Sequence, residues 1–128
     1  IRSYRIYSQK KLRENGFKIT VDQWLVIKVL MENPGISQQN LAEKAFKDNA
    51  SITRIIELLV KSKYLDRKVN PKDRRTSILK VTPEGEDIIN KVQGLVLQNR
   101  KIAQTGITLE ELENLNATLK KIIKNCQP

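Results

Sequence analysis

Residues 48–61 read DNASITRIIELLVK, and this stretch decides the fold. Ile52, Ile55, Ile56, Leu59 and Val60 recur at i, i+3, i+4, i+7 and i+8, which is one face of an α-helix. Asp48 stands where a side-chain oxygen caps the first turn. At about 100° per residue, the opposite face carries Ala50, Arg54, Glu57 and Lys61, with Ser51 and Thr53 on its flanks. An ordinary surface helix has the same pattern, so its neighbours in the chain must decide what it is for.

Downstream, residues 65–69 and 77–81 are rich in β-formers and predict two short strands. Asn70-Pro71-Lys72-Asp73-Arg74-Arg75-Thr76 reads as the loop between them, longer than most hairpin connections. Pro71 presets a turn, and Asn70 suits the position before it. Upstream, Ser37 opens a short helix with Leu41, Ala42 and Ala45 facing inward. Two short helices followed by strand, loop and strand is the order of a winged helix-turn-helix. The second helix of such a pair enters the DNA major groove with its N-terminal residues nearest the bases.

That order makes Asn49, Ala50, Ser51, Thr53 and Arg54 the candidate groove contacts. Asn can read adenine, Arg guanine, and the Ala methyl a thymine methyl. Ser37, Gln38 and Gln39 are placed to reach phosphates. In the wing, Arg75 is expected in the minor groove, whose narrow parts concentrate negative potential. Arg74 and Lys72 are expected near phosphates, with Asp73 pinning an arginine through a bidentate pair.

The remaining helices are equally well punctuated. Residues 1–15 are weakly periodic and end at Gly16. Thr20 with Gln23 has capping-box spacing, and the run from Trp24 to Met31 is apolar nearly all round, which predicts a buried helix stopped by Asn33-Pro34-Gly35. Thr82-Pro83 starts a long helix with an apolar stripe at Ile88, Ile89, Val92, Leu95, Val96 and Ile102, and Gly106 breaks it. Thr108 and Glu111 repeat the capping-box spacing before a last helix. Its seam, Leu112, Leu115, Leu119, Ile122 and Cys126, advances by alternating threes and fours, as in a coiled coil. The predicted fold is therefore mainly α with a small β-hairpin wing: a winged helix-turn-helix with long N- and C-terminal helices.

Composition agrees. Across 128 residues, 24 Lys and Arg against 14 Asp and Glu give a net charge of +10, which favours a polyanionic partner. No apolar run is long enough to span a bilayer. One cysteine gives no sign of an oxidising compartment, and a cytoplasmic location is expected. The chain opens on Ile1 rather than Met, which leaves room for residues before it.

Three stretches resemble the MarR (multiple antibiotic resistance regulator) family: Ser51-Ile52-Thr53-Arg54, Asp73-Arg74-Arg75, and Val81-Thr82-Pro83-Glu84-Gly85. The resemblance covers essentially the whole chain. It implies one domain over 1–128, with a DNA-binding lobe near 20–81 and dimerisation helices near 1–16 and 82–126. It implies a homodimer on a pseudo-palindromic operator in double-stranded DNA, usually a repressor, and the apolar seam of the last helix then becomes a dimer interface. It also implies release by a small molecule, often aromatic or phenolic, for which Tyr4, Tyr7 and Trp24 are the candidate pocket residues. Lys63 stands where the family usually has glycine after the recognition helix, so that turn must take a positive φ with Lys or close differently.

No cofactor is expected. The absence of histidine argues against the zinc-sensing branch, whose sites lean on it. Cys126, late in the chain and on the seam, reads as an interface residue rather than a redox switch. The absence of histidine also leaves no Ser-His or Cys-His pair, and the five glycines are scattered, so an enzyme is not expected. The alternative that stays open is a winged-helix module that binds protein or RNA without reading DNA.

Overall fold

A computed structural model describes all 128 residues, Ile1 to Pro128. In chain order the elements are α1 (Arg2–Glu14), α2 (Val21–Glu32), α3 (Gln38–Lys44), α4 (Asn49–Lys61), β1 (Leu65–Asn70), β2 (Asp73–Val81), α5 (Pro83–Ala103) and α6 (Leu109–Cys126). They form two compact units, Ile1–Leu97 and Gln98–Pro128.

Side-chain caps set the helix starts in the first unit. Thr20 and Gln23 complete a capping box on α2, each side chain accepting from the other's backbone N–H at 3.1 Å. Gln9 of α1 accepts from the Val21 amide at 3.0 Å, so a residue of the first helix also satisfies a first-turn donor of the second. Ser37 caps α3 by accepting from Asn40 N–H, and Asp48 caps α4 by accepting from Ser51 N–H at 2.7 Å. That hydrogen bond is the main reason the Asp48 carboxyl is held below its ordinary pKa.

The core of this unit joins Val26, Ile27, Val29 and Leu30 of α2 to Leu41, Ala42 and Ala45 at α3 and to Ile52, Ile56 and Leu59 of α4. Leu65, Ile89 and Val92 close it from β1 and α5. Ile55 and Val60, the outer members of the α4 stripe, are half-buried. The stripe is therefore narrower at its edges than its sequence spacing implies.

The junction between wing and α5 is closely tied. Thr82 Oγ1 donates to the Lys63 carbonyl at 2.6 Å and accepts from Gly85 N–H at 3.0 Å. Thr82 N–H donates to the Tyr64 carbonyl at 3.1 Å. Lys63 takes φ +66, so the turn keeps the left-handed geometry with a lysine in place of glycine.

The hairpin differs from the expected one. β1 and β2 pair antiparallel from Leu65↔Val81 to Val69↔Ser77, and then the partner of Asn70 is Asp73. The connection is the two residues Pro71 and Lys72 rather than a loop of seven, and Arg74, Arg75 and Thr76 bulge from the ladder. Asn70 and Asp73 build this tip. Asn70 accepts from Lys72 N–H and donates to Thr76 Oγ1, while the Asp73 carboxylate accepts from Arg75 N–H. Such Asx-type bonds let the chain reverse before the strands end.

In the second unit, Thr108 caps α6 by accepting from Glu111 N–H at 3.1 Å. Only this half of the expected capping box forms. No helix of the protein is long and apolar enough to cross a membrane.

Candidate nucleic-acid interface

The N-terminal turns of α3 and α4 and the wing tip face one cleft of about 700 Å³. Ser37, Gln38, Gln39 and Asn49 line it from the helices, and Asn70, Asp73, Arg75 and Thr76 from the hairpin. Four candidates from the two helices thus meet two from the wing around a single space.

Each candidate has a definite place. Asn49, Ala50 and Arg54 are exposed on α4, and Ser51 and Thr53 are half-buried beside them. Lys72, Arg74 and Arg75 are exposed at the tip, and no salt bridge of the structure uses any of them. Asp73 does not pin a guanidinium: its carboxylate is turned back onto the Arg75 amide, because that bond closes the turn. Both arginines are left unpaired toward solvent, with their charges free for a polyanion. Arg67 and Lys68 of β1 are exposed as well, so the cationic surface extends further down the wing than the tip motif indicates.

Thr53 also departs from expectation. Its hydroxyl donates to Asn49 C=O at 2.8 Å and accepts from Gln38 Nε2 at 2.8 Å. The bond from Gln38 joins α3 to α4 across fifteen residues of sequence, and neither helix's own pattern signals it.

A charged cluster fixes the turn that leads into α4. Asp22 in the first turn of α2 pairs with Arg5 of α1 and with Lys47, whose Nζ lies 3.1 Å from its carboxylate. Burial pushes the Asp22 carboxyl up, but hydrogen bonds and charge from Arg5 and Lys47 outweigh it and hold the pKa below its ordinary value. Beside Lys47, Phe46 takes φ +55 and is 90% exposed. A left-handed bulky residue costs about 1 kcal/mol or more, partly offset by the freedom glycine loses on folding. Phe46→Gly removes no packing and should raise stability by about 1 kcal/mol, near 4 °C in Tm, read by thermal unfolding at one fixed protein concentration. A lower Tm would show that the exposed ring is supporting the turn.

The three aromatic candidates have different surroundings. Tyr4 is 40% exposed, Tyr7 lies with Lys11 Nζ 5.6 Å from its ring centroid, and Trp24 packs against the core. The Trp24 indole N–H is buried without a hydrogen-bond partner. On α6, Leu112 is half-buried, while Leu115, Leu119, Ile122 and Cys126 are exposed along the helix.

A family model described as MarR family matches residues 17–76, which span α2 to the wing tip. The HTH-type transcriptional regulator YhbI of Bacillus subtilis is 30% identical over 128 aligned residues, covering 92% of this chain and 80% of its own. The chain belongs to the MarR family. It is a transcriptional regulator with the family's winged-helix fold, and it is not an enzyme. A mutant MarR from E. coli complexed with operator DNA superposes with a TM-score of 0.85 at 24% identity, covering 94% of this chain and 86% of that one. BpsR of Bordetella bronchiseptica, whose DNA binding is regulated by 6-hydroxynicotinic acid, superposes with a TM-score of 0.84 at 21% identity, covering 94% and 85%. These two structures establish the likeness of fold.

Proposed function

We propose that this MarR-family protein acts as a homodimeric repressor on a pseudo-palindromic operator in double-stranded DNA. The lobe near 20–81 holds each half-site, and residues near 1–16 and 82–126 carry dimerisation. Asn49, Ala50, Ser51 and Arg54 face the major groove, and Ser37 and Gln39 lie toward phosphates. Arg75 enters the minor groove, with Lys72 and Arg74 on the flanking backbone. The observation that carries this reading is the set of wing cations, exposed and without salt bridges, across a cleft from the first turns of α3 and α4.

A small aromatic or phenolic effector releases the operator. The buried, unpartnered indole N–H of Trp24 supports a polar ligand group there. A ligand that prefers a dimer with the wrong half-site spacing shifts the population tenfold per about 1.4 kcal/mol of preference.

Selection of bound DNA from a random pool tests the reading, with affinity then measured against salt. Half-sites should lie about one helical turn apart. About eight neutralised phosphates give a log–log salt slope near −7. Arg75→Ala and Arg54→Ala should each weaken the selected operator by about tenfold or more. If the protein retains no DNA at low salt, the alternative of a protein- or RNA-binding winged helix takes its place.

A further inference from the structure

We infer that Gln38, although it belongs to α3, reads a base edge, and that the base is adenine. The inference rests on the DNA-binding reading above and assigns a specificity role within it.

Gln38 is the first residue of α3, and its amide does not run along its own helix. It reaches α4, where Nε2 donates to Thr53 Oγ1 at 2.8 Å. Thr53 in turn donates to the Asn49 carbonyl at 2.8 Å, which fixes the orientation of its hydroxyl lone pairs. The Gln38 amide is thus held against the N-terminal half of α4, the part of a recognition helix nearest the bases. It lines the same cleft as Asn49 and Arg75.

One N–H of the Gln38 amide is committed to Thr53. The other N–H and the Oε1 acceptor are left, and Oε1 accepts from no group in the protein. A donor and an acceptor on one planar amide match adenine in the major groove, which offers N7 as acceptor and N6–H as donor. A phosphate takes only donors, so contact with one would make no use of Oε1. The strut also removes rotamer freedom in advance, which lowers the cost of ordering a long side chain on binding. Thr53 is a positioning residue here. Its one hydroxyl donor is committed within the protein, and it acts on DNA through Gln38.

The experiment is selection of operator sequences from a random pool with the parent, Gln38→Ala, Gln38→Glu and Thr53→Val. The parent should select adenine at one symmetry-related position per half-site. Gln38→Ala should lose that preference, with about a tenfold fall in discrimination there and little change elsewhere in the motif. Gln38→Glu keeps only acceptors and also loses the bond to Thr53, so it should lose the adenine preference as Gln38→Ala does. Thr53→Val should relax the same position as Gln38→Ala. Uniformly weaker binding with an unchanged motif in both Gln38 variants would make Gln38 a backbone contact and overturn the inference, leaving the operator reading intact. A parent that selects no motif at all overturns both.

Discussion

Gly85→Ala should destabilise the protein by about 3 kcal/mol and lower its Tm by about 10 °C. A methyl added at Gly85 would lie 2.3 Å from the Tyr64 carbonyl oxygen and 2.9 Å from Val81 Cγ1. The backbone carbonyl, the nearer of the two, is not free to retreat. The Tyr64 carbonyl accepts from Thr82 N–H, the adjoining Lys63 carbonyl accepts from Thr82 Oγ1, and that hydroxyl also accepts from Gly85 N–H. Moving the carbonyl away breaks the bond to Thr82. Moving α5 away pulls Ile89 and Val92 out of the core.

The sign of the effect makes this a sharp test. Gly→Ala inside a helix normally stabilises by about 0.5 to 1 kcal/mol, because glycine loses more freedom on folding. Gly94 in the same helix has nothing within 4 Å of a built Cβ. Gly94→Ala should show the ordinary gain and Gly85→Ala the reverse, both measured by urea unfolding. If Gly85→Ala is also neutral or stabilising, the approach of α5 to the end of the α4 turn is looser than the structure has it.

The contrast between these glycines bears on what the sequence could reveal. Elements set by short-range chemistry were legible. Thr20 with Gln23, Ser37, Asp48 and Thr82-Pro83 each signal a helix start through groups a few residues apart, and each forms as read. The α4 stripe was legible because burial follows a fixed period.

What stayed hidden depends on contacts between elements or on bonds that compete with a local rule. The hairpin looked like a seven-residue loop because Asn70 and Asp73 are turn residues by composition. Their side-chain bonds instead tighten the reversal to Pro71-Lys72 and push Arg74 and Arg75 into a bulge. Asp73 beside two arginines reads as an ion pair, but its carboxylate accepts instead from a backbone N–H two residues away. The bridge from Gln38 to Thr53 and the pairing of Asp22 with Arg5 and Lys47 join different helices, so no window on one helix contains them. Phe46 at positive φ runs against its own propensity, which is why sequence reading passed over it.

The second large effect concerns α6. Leu115, Leu119 and Ile122 are between 48% and 56% exposed, on a helix in which no residue is buried. A continuous apolar row of this kind is uncommon on a protein that functions as a monomer. Its alternating steps of three and four suit a facing helix. Under the proposed dimer, Leu115→Glu with Leu119→Glu places two carboxylates on each side of the seam, four in all, in a space that excludes water. The variant should sediment as a monomer while far-UV circular dichroism stays near the parent's. Its affinity for the full operator should fall by a hundredfold or more. The second half-site is no longer offered at the effective concentration that a linked pair provides, a factor of about 10² to 10⁴. Affinity for an isolated half-site should hardly change, since the contacts of α3, α4 and the wing are untouched. That split separates loss of avidity from loss of the DNA surface. A variant that stays dimeric, or a monomer that holds the full operator as tightly as the parent, would remove α6 from the assembly and require another surface to pair the two lobes.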